Sequence, residues 1–360
     1  MYAKREWFLT LLVLLYVFLS FIDPSLPSKS LRLIDYESLA TIISLLVVSR
    51  GLEISGAFTR IAPRIVELSG GSEVKLLALI MLTVAISSAV IMNDTAMFIF
   101  IPLVLTISRI TKTDRVRTVT LTAIAANIGS ALTPIGNPQN IIIWRTYGIS
   151  VYEFISGMLL YVSIWIGLLL LFVCLTCKGK SVKSFVIPRV RVNRVLLFIS
   201  TILLIVDVIL TQFGYAFIGL ALTLVILALI GREALLSLDV ALVAIFALIF
   251  IDFRELSFII APLNFMSLQR NPIMTVALSV GLSQIISNVP ATVLLTSSNV
   301  KPEWIPLAVG VNLGGTGIII GSLANFIAVR ISGISLKEFH KYSLLYFLVA
   351  LGITILLVGL

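Results

Sequence analysis

Two segments of the chain carry the same spacing of asparagine and glycine. The pattern Asn-x-Gly-x6-Gly-x3-Asn occurs in residues 126–141 and again in residues 311–326, beginning at Asn127 and Asn312. Glycine and asparagine within apolar segments indicate places where a helix unwinds and frees backbone groups for a ligand. The repeated spacing therefore predicts two equivalent broken helices that bind a ligand together.

An interrupted apolar stretch precedes each copy of this pattern. The first stretch covers 76–108 and is broken by the polar segment 92–95, whereas the second covers 272–298 and is broken at 287–290. Asparagine, aspartate and serine at such breaks are typical helix N-caps. Helix N-termini attract anions, and unwound carbonyls favour cations. The predicted chemistry is reversible binding of a small anion and a cation.

Acidic residues inside apolar segments are a separate signal. Asp94 lies in the first break, where a carboxylate at membrane depth is costly and usually functional. Na⁺ is possible at Asn93, Asp94 and Gly136, because side-chain and freed backbone oxygens suit a hard cation. A proton could also neutralise Asp94. For Asp207 a structural and a functional role both stay open, and Asp252, near a predicted span end, is expected to be solvated.

Each of these residues alone has a simpler interpretation. Asparagine, serine and threonine inside membranes often hold helices together, and glycine often allows close packing. The breaks, however, are paired by the repeat, and each is rich in asparagine, glycine or proline. This pairing favours ligand binding over packing.

The composition indicates the elements that must position these residues. Of the 360 residues, 59% are hydrophobic and 12% are charged, and the mean hydropathy is +1.14. A soluble domain usually carries about twice that charged fraction. Apolar runs of membrane-spanning length recur along the chain. We therefore expect a membrane protein without a separate soluble domain.

The apolar runs predict an all-α polytopic membrane protein of about nine spans plus two re-entrant hairpins. Segments 54–69 and 254–267 mix charge with apolar residues and are expected to be helices at the membrane interface. The chain should divide into two inverted repeats joined by a cytoplasmic basic linker and a connecting helix. The predicted bounds are 1–176 (hairpin 76–108, broken helix 118–146), 177–212, and 213–360 (hairpin 272–298, broken helix 303–330).

The placement of lysine and arginine predicts the orientation. If both interrupted stretches enter and leave the membrane on one side, 20 of the 26 Lys and Arg residues fall on inner segments. The N-terminus is then cytoplasmic, in a multi-pass protein of the plasma membrane. The net charge of +9 is accordingly a topogenic signal, and the partner is the lipid bilayer rather than nucleic acid.

Residues for covalent chemistry are scarce. Cys174 and Cys177 form the only CxxC pair and His340 is the only histidine, so neither a zinc site nor a metalloprotease is expected. An intramembrane aspartyl dyad would have only Asp94 and Asp207 as candidates. We expect a protein that is not an enzyme and that has no cofactor besides a coupling ion.

Three segments resemble the ion transporter superfamily that includes arsenite permeases, NhaD sodium/proton antiporters, and citrate and dicarboxylate carriers. NDTAMFIFIPLVL resembles the first hairpin of the arsenite permease branch, TPIGNPQNIIIW the broken helix that follows it, and SNVPATVLL the second hairpin. The resemblance implies a homodimer whose protomers have a scaffold part and a moving transport part. It also implies that hairpin tips and broken helices hold substrate and coupling ion. The binding candidates are Asn93, Asp94, Thr95, Thr133, Gly136, Asn137, Asn140, Ser287, Asn288, Gly321, Ser322 and Asn325.

These features predict a secondary active transporter of a small inorganic or organic anion or oxyanion, coupled to Na⁺ or H⁺, with elevator-type alternating access. A Na⁺/H⁺ antiporter is the nearest alternative. An intramembrane enzyme and a channel are further alternatives. Paired breaks without a ring-like pore motif favour a carrier over a channel.

Overall fold

The computed structural model describes residues 6–177, 191–263 and 265–359, and the regular elements within these ranges are helices. The helices of the first half are α1 (Glu6–Ile22), α2 (Leu26–Leu33), α3 (Tyr36–Ile54), α4 (Ala62–Leu68), α5 (Glu73–Ser88), α6 (Asn93–Thr111), α7 (Arg115–Ser130), α8 (Pro138–Tyr147) and α9 (Val151–Thr176). Those of the second half are α10 (Arg194–Gln212), α11 (Ala216–Ile230), α12 (Arg232–Leu236), α13 (Val240–Ile260), α14 (Pro272–Ile286), α15 (Asn288–Thr296), α16 (Trp304–Gly314), α17 (Leu323–Ser332) and α18 (Leu336–Val358).

Polar N-caps fix where many of these helices begin. The side chains of Asp35, Asp114, Asn193 and Asp239 accept hydrogen bonds from backbone N–H groups at the starts of α3, α7, α10 and α13. In lipid, backbone groups must be satisfied within the protein. Each cap therefore defines the end of one span and the beginning of the next.

Helix lengths agree with a polytopic membrane protein. Within the described residues, five segments are long and apolar enough to cross a membrane. They are Tyr36–Leu68, Asn93–Thr111, Val151–Thr176, Arg194–Gln212 and Leu336–Val358. Shorter helices combine in pairs: α7 with α8 and α16 with α17 form broken helices, and α5 with α6 and α14 with α15 form hairpins. With the remaining helices, this arrangement fits the predicted nine spans and two hairpins.

Small residues let each hairpin pack closely on the broken helix that follows it. At Gly129 of α7, an added Cβ would lie 2.2 Å from the backbone oxygen of Ala85 in α5. At the equivalent Gly314 of α16, it would lie 2.5 Å from Cβ of Ser283 in α14. Such distances leave no room for a side chain. The repeated glycine therefore sets the distance between hairpin and broken helix in both halves.

Two predictions from the sequence are wrong in this region. Segment 254–267 does not form a separate interfacial helix, because α13 continues without a break to Ile260. Asp252 consequently lies well inside α13, where it is completely buried rather than solvated. The predicted basic linker falls largely on residues 178–190, outside the described residues. The helix predicted at 54–69 is present in part, as α4, which follows the end of α3 and a short 3-10 turn.

Candidate functional site

The tip of the first hairpin is attached to the break between α7 and α8. The backbone N–H of Asn93 donates to the carbonyl oxygen of Gly136 at 2.9 Å, and Asn93 Nδ2 donates to Asn127 Oδ1 at 3.1 Å. Thr133 Oγ1 donates to the carbonyl oxygen of Ala89 at 2.5 Å. Side chains in the break thus hold the tip in place. Asn93 and Gly136, both predicted binding residues, are therefore in direct contact.

Asp94 lies in the first turn of α6 and is 6% exposed. Its backbone N–H donates to Asn93 Oδ1 at 2.9 Å. A carboxylate in a helix's first turn is stabilised by the N-terminal dipole. Asp94 is therefore positioned at the start of a helix, beside the side chain of Asn93, as the sequence predicts.

The second tip has a different backbone. Ser287, the N-cap of α15, has φ +76° and ψ 156°, a region that is essentially restricted to glycine. Asn288 follows and is buried, near Gly315 in the break between α16 and α17: a Cβ added at Gly315 would lie 3.1 Å from Asn288 Nδ2. Each tip thus presents an asparagine to the break of its own repeat.

Two crossed asparagine pairs join the breaks of the two repeats. Asn127 Nδ2 donates to Asn325 Oδ1 at 2.8 Å, and Asn312 Nδ2 donates to Asn140 Oδ1 at 2.7 Å. Because Asn127 corresponds to Asn312 and Asn140 to Asn325 in the repeated pattern, the two hydrogen bonds are equivalent. They connect the predicted half-sites directly.

The backbone of each break is held by the same asparagines. Asn140 Nδ2 donates to the carbonyl oxygens of Ser130 and Thr133 at 3.2 and 2.9 Å. Asn325 Nδ2 donates to those of Gly315 and Ile318 at 2.9 and 3.3 Å. Buried carbonyls in an unwound segment need such donors. Asn140 and Asn325 therefore stabilise the breaks.

The residues that cap the half-helices α8 and α17 also form hydrogen bonds to the opposite repeat. Asn137 caps α8 and its Nδ2 donates to Asn312 Oδ1 at 2.8 Å. Ser322 caps α17 and its Oγ donates to Asn127 Oδ1 at 3.0 Å. Asn127 and Asn312 are thus central to the network, because each of them exchanges hydrogen bonds with residues of the other repeat.

A small, partly open cavity lies where the two tips and the two half-helices meet. Its volume is about 30 Å³, which has room for one or two water-sized species. The predicted residues that line it are Asn93, Asp94, Ser287, Asn288 and Ser322. The remaining wall comes from Phe8 of α1, from Pro138, Gln139, Val289, Pro290 and Leu323, and from Leu242, Ile245, Phe246 and Ile249 of α13.

Other predicted residues do not line the cavity. Thr95 and Gly321 are buried beside it, whereas Thr133, Gly136, Asn137, Asn140 and Asn325 belong to the network that supports it. The carbonyl of Gly136 already accepts from Asn93 N–H, and a second lone pair is left for a cation. Among the described residues, no cluster of three or more His, Cys, Asp or Glu side chains could hold a metal ion.

Several residues of the site were not among the binding candidates predicted from the sequence. Asn127 and Asn312 are in the repeated pattern, which was the signal that could have found them. Gln284 of α14 donates to the carbonyl oxygen of Gly314, and its Oε1 accepts from the N–H of Ile318 at 2.6 Å. The only sequence feature that pointed to Gln284 was its polar side chain within an apolar helix. The contribution of α13 to the cavity has no sequence signal.

Asp207, for which two roles stayed open, lies away from this cavity. Its Oδ2 accepts hydrogen bonds from Ser44 Oγ at 2.5 Å and from Thr223 Oγ1 at 3.0 Å. These donors lie on α3 and α11, and Gly219 of α11 packs directly against Oδ1. Asp207 therefore links three helices.

In this site, hairpin tips and helix breaks from two equivalent halves surround one cavity. Such an arrangement is typical of a membrane transporter. The chain belongs to the citrate transporter family, which matches residues 4–303. The predicted superfamily and the polytopic all-α fold are confirmed.

Two relatives are similar to the chain in sequence, and a solved structure is similar to it in fold. The chain is 34% identical over 348 residues to the inner membrane protein YbiR of Escherichia coli, covering 95% of this chain and 92% of that protein. It is 37% identical over 259 residues to the uncharacterized transporter MJ0456 of Methanocaldococcus jannaschii, covering 71% and 70%. The YdaH transporter of Alcanivorax borkumensis has the same fold, with a TM-score of 0.56 over 98% of this chain and 96% of that chain at 13% identity.

Proposed function

We propose that the protein is a secondary active transporter of a small anion or oxyanion, coupled to Na⁺ or H⁺. The observation that carries the proposal is the convergence of four helix N-termini on one cavity. Residues at the starts of α6, α8, α15 and α17 all line it. Each N-terminus presents backbone N–H groups and the positive end of a helix dipole. No lysine or arginine of the described residues lines the cavity, so these termini supply its positive potential.

Asp94 supplies the opposite charge in the same cavity. A carboxylate among four helix N-termini repels an anion unless a cation or a proton accompanies it. Binding of anion and cation together is therefore favoured over binding of either alone. This dependence is the physical basis of coupled transport, and it favours Na⁺ or H⁺ as the ion at Asp94. The family's citrate transporter description supports an anionic substrate.

The size of the cavity bears on the mechanism. A volume of about 30 Å³ admits a small ion but not a tricarboxylate, so larger anions require the tips to separate. Crossed hydrogen bonds join the two breaks, which favours movement of both hairpins as one unit, as in an elevator mechanism. We further propose a homodimer in the plasma membrane with a cytoplasmic N-terminus.

Counterflow in proteoliposomes tests the proposal. Liposomes loaded with citrate, smaller carboxylates, phosphate or another oxyanion would be diluted into the labelled anion, with Na⁺ and pH gradients imposed separately. A carrier exchanges internal for external anion without net driving force, whereas a channel or an enzyme does not. Exchange of Na⁺ for H⁺ without any anion would instead support the antiporter, which Asp94 in the cavity also suits.

A further inference from the structure

Asp252 is a second buried carboxyl group near the cavity, and neither the fold nor the family assigns it a role. It is 0% exposed in the middle of α13. Neither of its oxygens has a hydrogen-bond partner among the described residues. A buried polar group without a partner costs free energy, and a buried ionised carboxylate costs far more. Such a group needs an explanation in terms of a ligand or a proton.

The position of Asp252 relates it to the cavity. Leu242, Ile245, Phe246 and Ile249 of α13 line the cavity wall. Asp252 follows Ile249 by three residues, which places it about 4.5 Å further along the helix axis and about 60° around it. Asp252 therefore lies nearly one helical turn beyond the α13 residues of the cavity wall, and α1 and α2 both pack against α13.

A second buried carboxyl group lies further along α13. Glu255, three residues after Asp252, is 1% exposed and its Oε2 lies 2.8 Å from Lys29 Nζ. Lys29 also lies 2.5 Å from Asp23 Oδ2, and its side chain is 32% exposed. Glu255 thus has a cationic partner that reaches solvent, whereas Asp252 has no hydrogen-bond partner among the described residues.

Other charged groups around this part of α13 are paired elsewhere. Arg254 points to α2 and α3, where it donates to the carbonyl oxygen of Leu33 and approaches Asp35. On α3, Glu37 pairs with Arg145 and Arg50 with Glu53. Residues 7–22 of α1 and the whole of α15 contain no charged residue, and Arg32 of α2 is exposed. Lys29, Glu255 and Asp94 are therefore the charged groups relevant to Asp252.

We propose that Asp252 is a proton-binding carboxyl of the transport cycle, which exchanges its proton with water that enters the opened cavity. This inference rests on the proposed transport function and names H⁺ as a coupling ion. We assign Asp252 as the neutral acid while the cavity is closed, because no hydrogen-bond partner among the described residues stabilises its carboxylate. When the cavity opens and water reaches Asp252, the O–H bond breaks and the proton leaves as hydronium. A cation entering the cavity then stabilises the carboxylate left behind.

The test compares three variants: Asp252→Asn, Asp252→Glu and Asp207→Asn. Asp207 is the matched control, since it is a buried aspartate that lies away from the cavity. We expect Asp252→Asn to lose anion accumulation driven by a pH gradient while keeping anion counterflow. Asp252→Glu should keep part of the accumulation, and Asp207→Asn should accumulate like the unaltered protein. Accumulation in Asp252→Asn with unchanged pH dependence would overturn the proposal.

Infrared difference spectroscopy provides a readout that does not depend on transport. The carbonyl stretch of a protonated carboxyl should be present at neutral pH in the purified protein and lose one component in Asp252→Asn. If Asp252→Asn does not fold, the shift of that component in Asp252→Glu replaces it. An Asp252 that is ionised at neutral pH would disprove the inference. Absence of counterflow in the unaltered protein, with the infrared component present, would contradict the transport function only.

Discussion

Asn127 and Asn325 are 198 positions apart in the sequence, yet Asn127 Nδ2 donates to Asn325 Oδ1 at 2.8 Å. The equivalent bond from Asn312 to Asn140 spans 172 positions. Each bond joins the first asparagine of the pattern in one repeat to the last asparagine in the other. The cavity is therefore built at a contact between the repeats, and neither repeat alone can complete it.

The crossed pairs should be energetically coupled. Asn127→Ala and Asn325→Ala should each lower the free energy of unfolding by about 1–3 kcal/mol, since each leaves a buried amide unsatisfied. The double variant should cost less than the sum. Thermal unfolding of the purified protein measures the coupling. Asn127→Ala combined with Tyr152→Ala, an exposed site, should be additive; coupling as strong in that control would refute a specific bond.

The tip asparagines should be required for transport. Asn93→Ala and Asn288→Ala remove amides at the cavity wall, so anion counterflow should fall to the level of empty liposomes while expression and dimer formation stay normal. Asn193→Ala, which removes the N-cap of α10, is the control and should transport. Normal counterflow in both tip variants would mean that these asparagines only pack helices.

Asp94→Asn should separate coupling from exchange. Asparagine keeps the size of the side chain and removes the charge, so accumulation driven by a Na⁺ or pH gradient should be lost while counterflow continues. Asp114→Asn makes the same change at the N-cap of α7, away from the cavity, and should leave both activities intact. If Asp94→Asn accumulates anion with unchanged dependence on both gradients, Asp94 does not bind the coupling ion.

Close packing at Gly129 gives a stability prediction. Gly129→Ala would place a methyl group against the backbone of Ala85, and the strain should cost about 1–3 kcal/mol or more. At Gly167 of α9, no atom lies within 4 Å of an added Cβ. Gly167→Ala should therefore be neutral or raise the free energy of unfolding by up to about 1 kcal/mol. Equal unfolding temperatures for the two variants would contradict the packing argument.

Single cysteines test the orientation. After Cys174 and Cys177 are replaced by alanine, Arg115→Cys should resist an impermeant thiol reagent in intact cells, because the positive-inside rule places it in the cytoplasm. Lys301→Cys should react. Both positions are exposed. Labelling of Arg115→Cys from outside would disprove the proposed topology.

Much of the fold follows from local patterns. Polar interruptions in apolar runs locate both tips correctly, since Asn93 and Asn288 begin α6 and α15. Glycine and proline likewise locate the breaks at 131–137 and 315–322. These signals are local because unwinding depends on the residues within one or two turns.

The remainder depends on contacts between distant segments. The partners of Asn127 and Asn312 lie in the opposite repeat, so spacing alone does not distinguish a ligand-binding asparagine from one that supports the site. Asp252 was expected to be solvated because charged residues follow it at 254 and 255. Those charges are instead neutralised by Asp35 and Lys29, which allows α13 to continue past them.

The two tips differ in backbone conformation, although they occupy equivalent positions in the two repeats. The backbone before Asn93 has φ −54° at Met92, whereas Ser287 before Asn288 has φ +76°. That conformation costs of order 1–3 kcal/mol, so the backbone is strained at the second tip but not at the first. A change of φ at Ser287 would release this strain, so movement of the second hairpin has a source of free energy that movement of the first lacks.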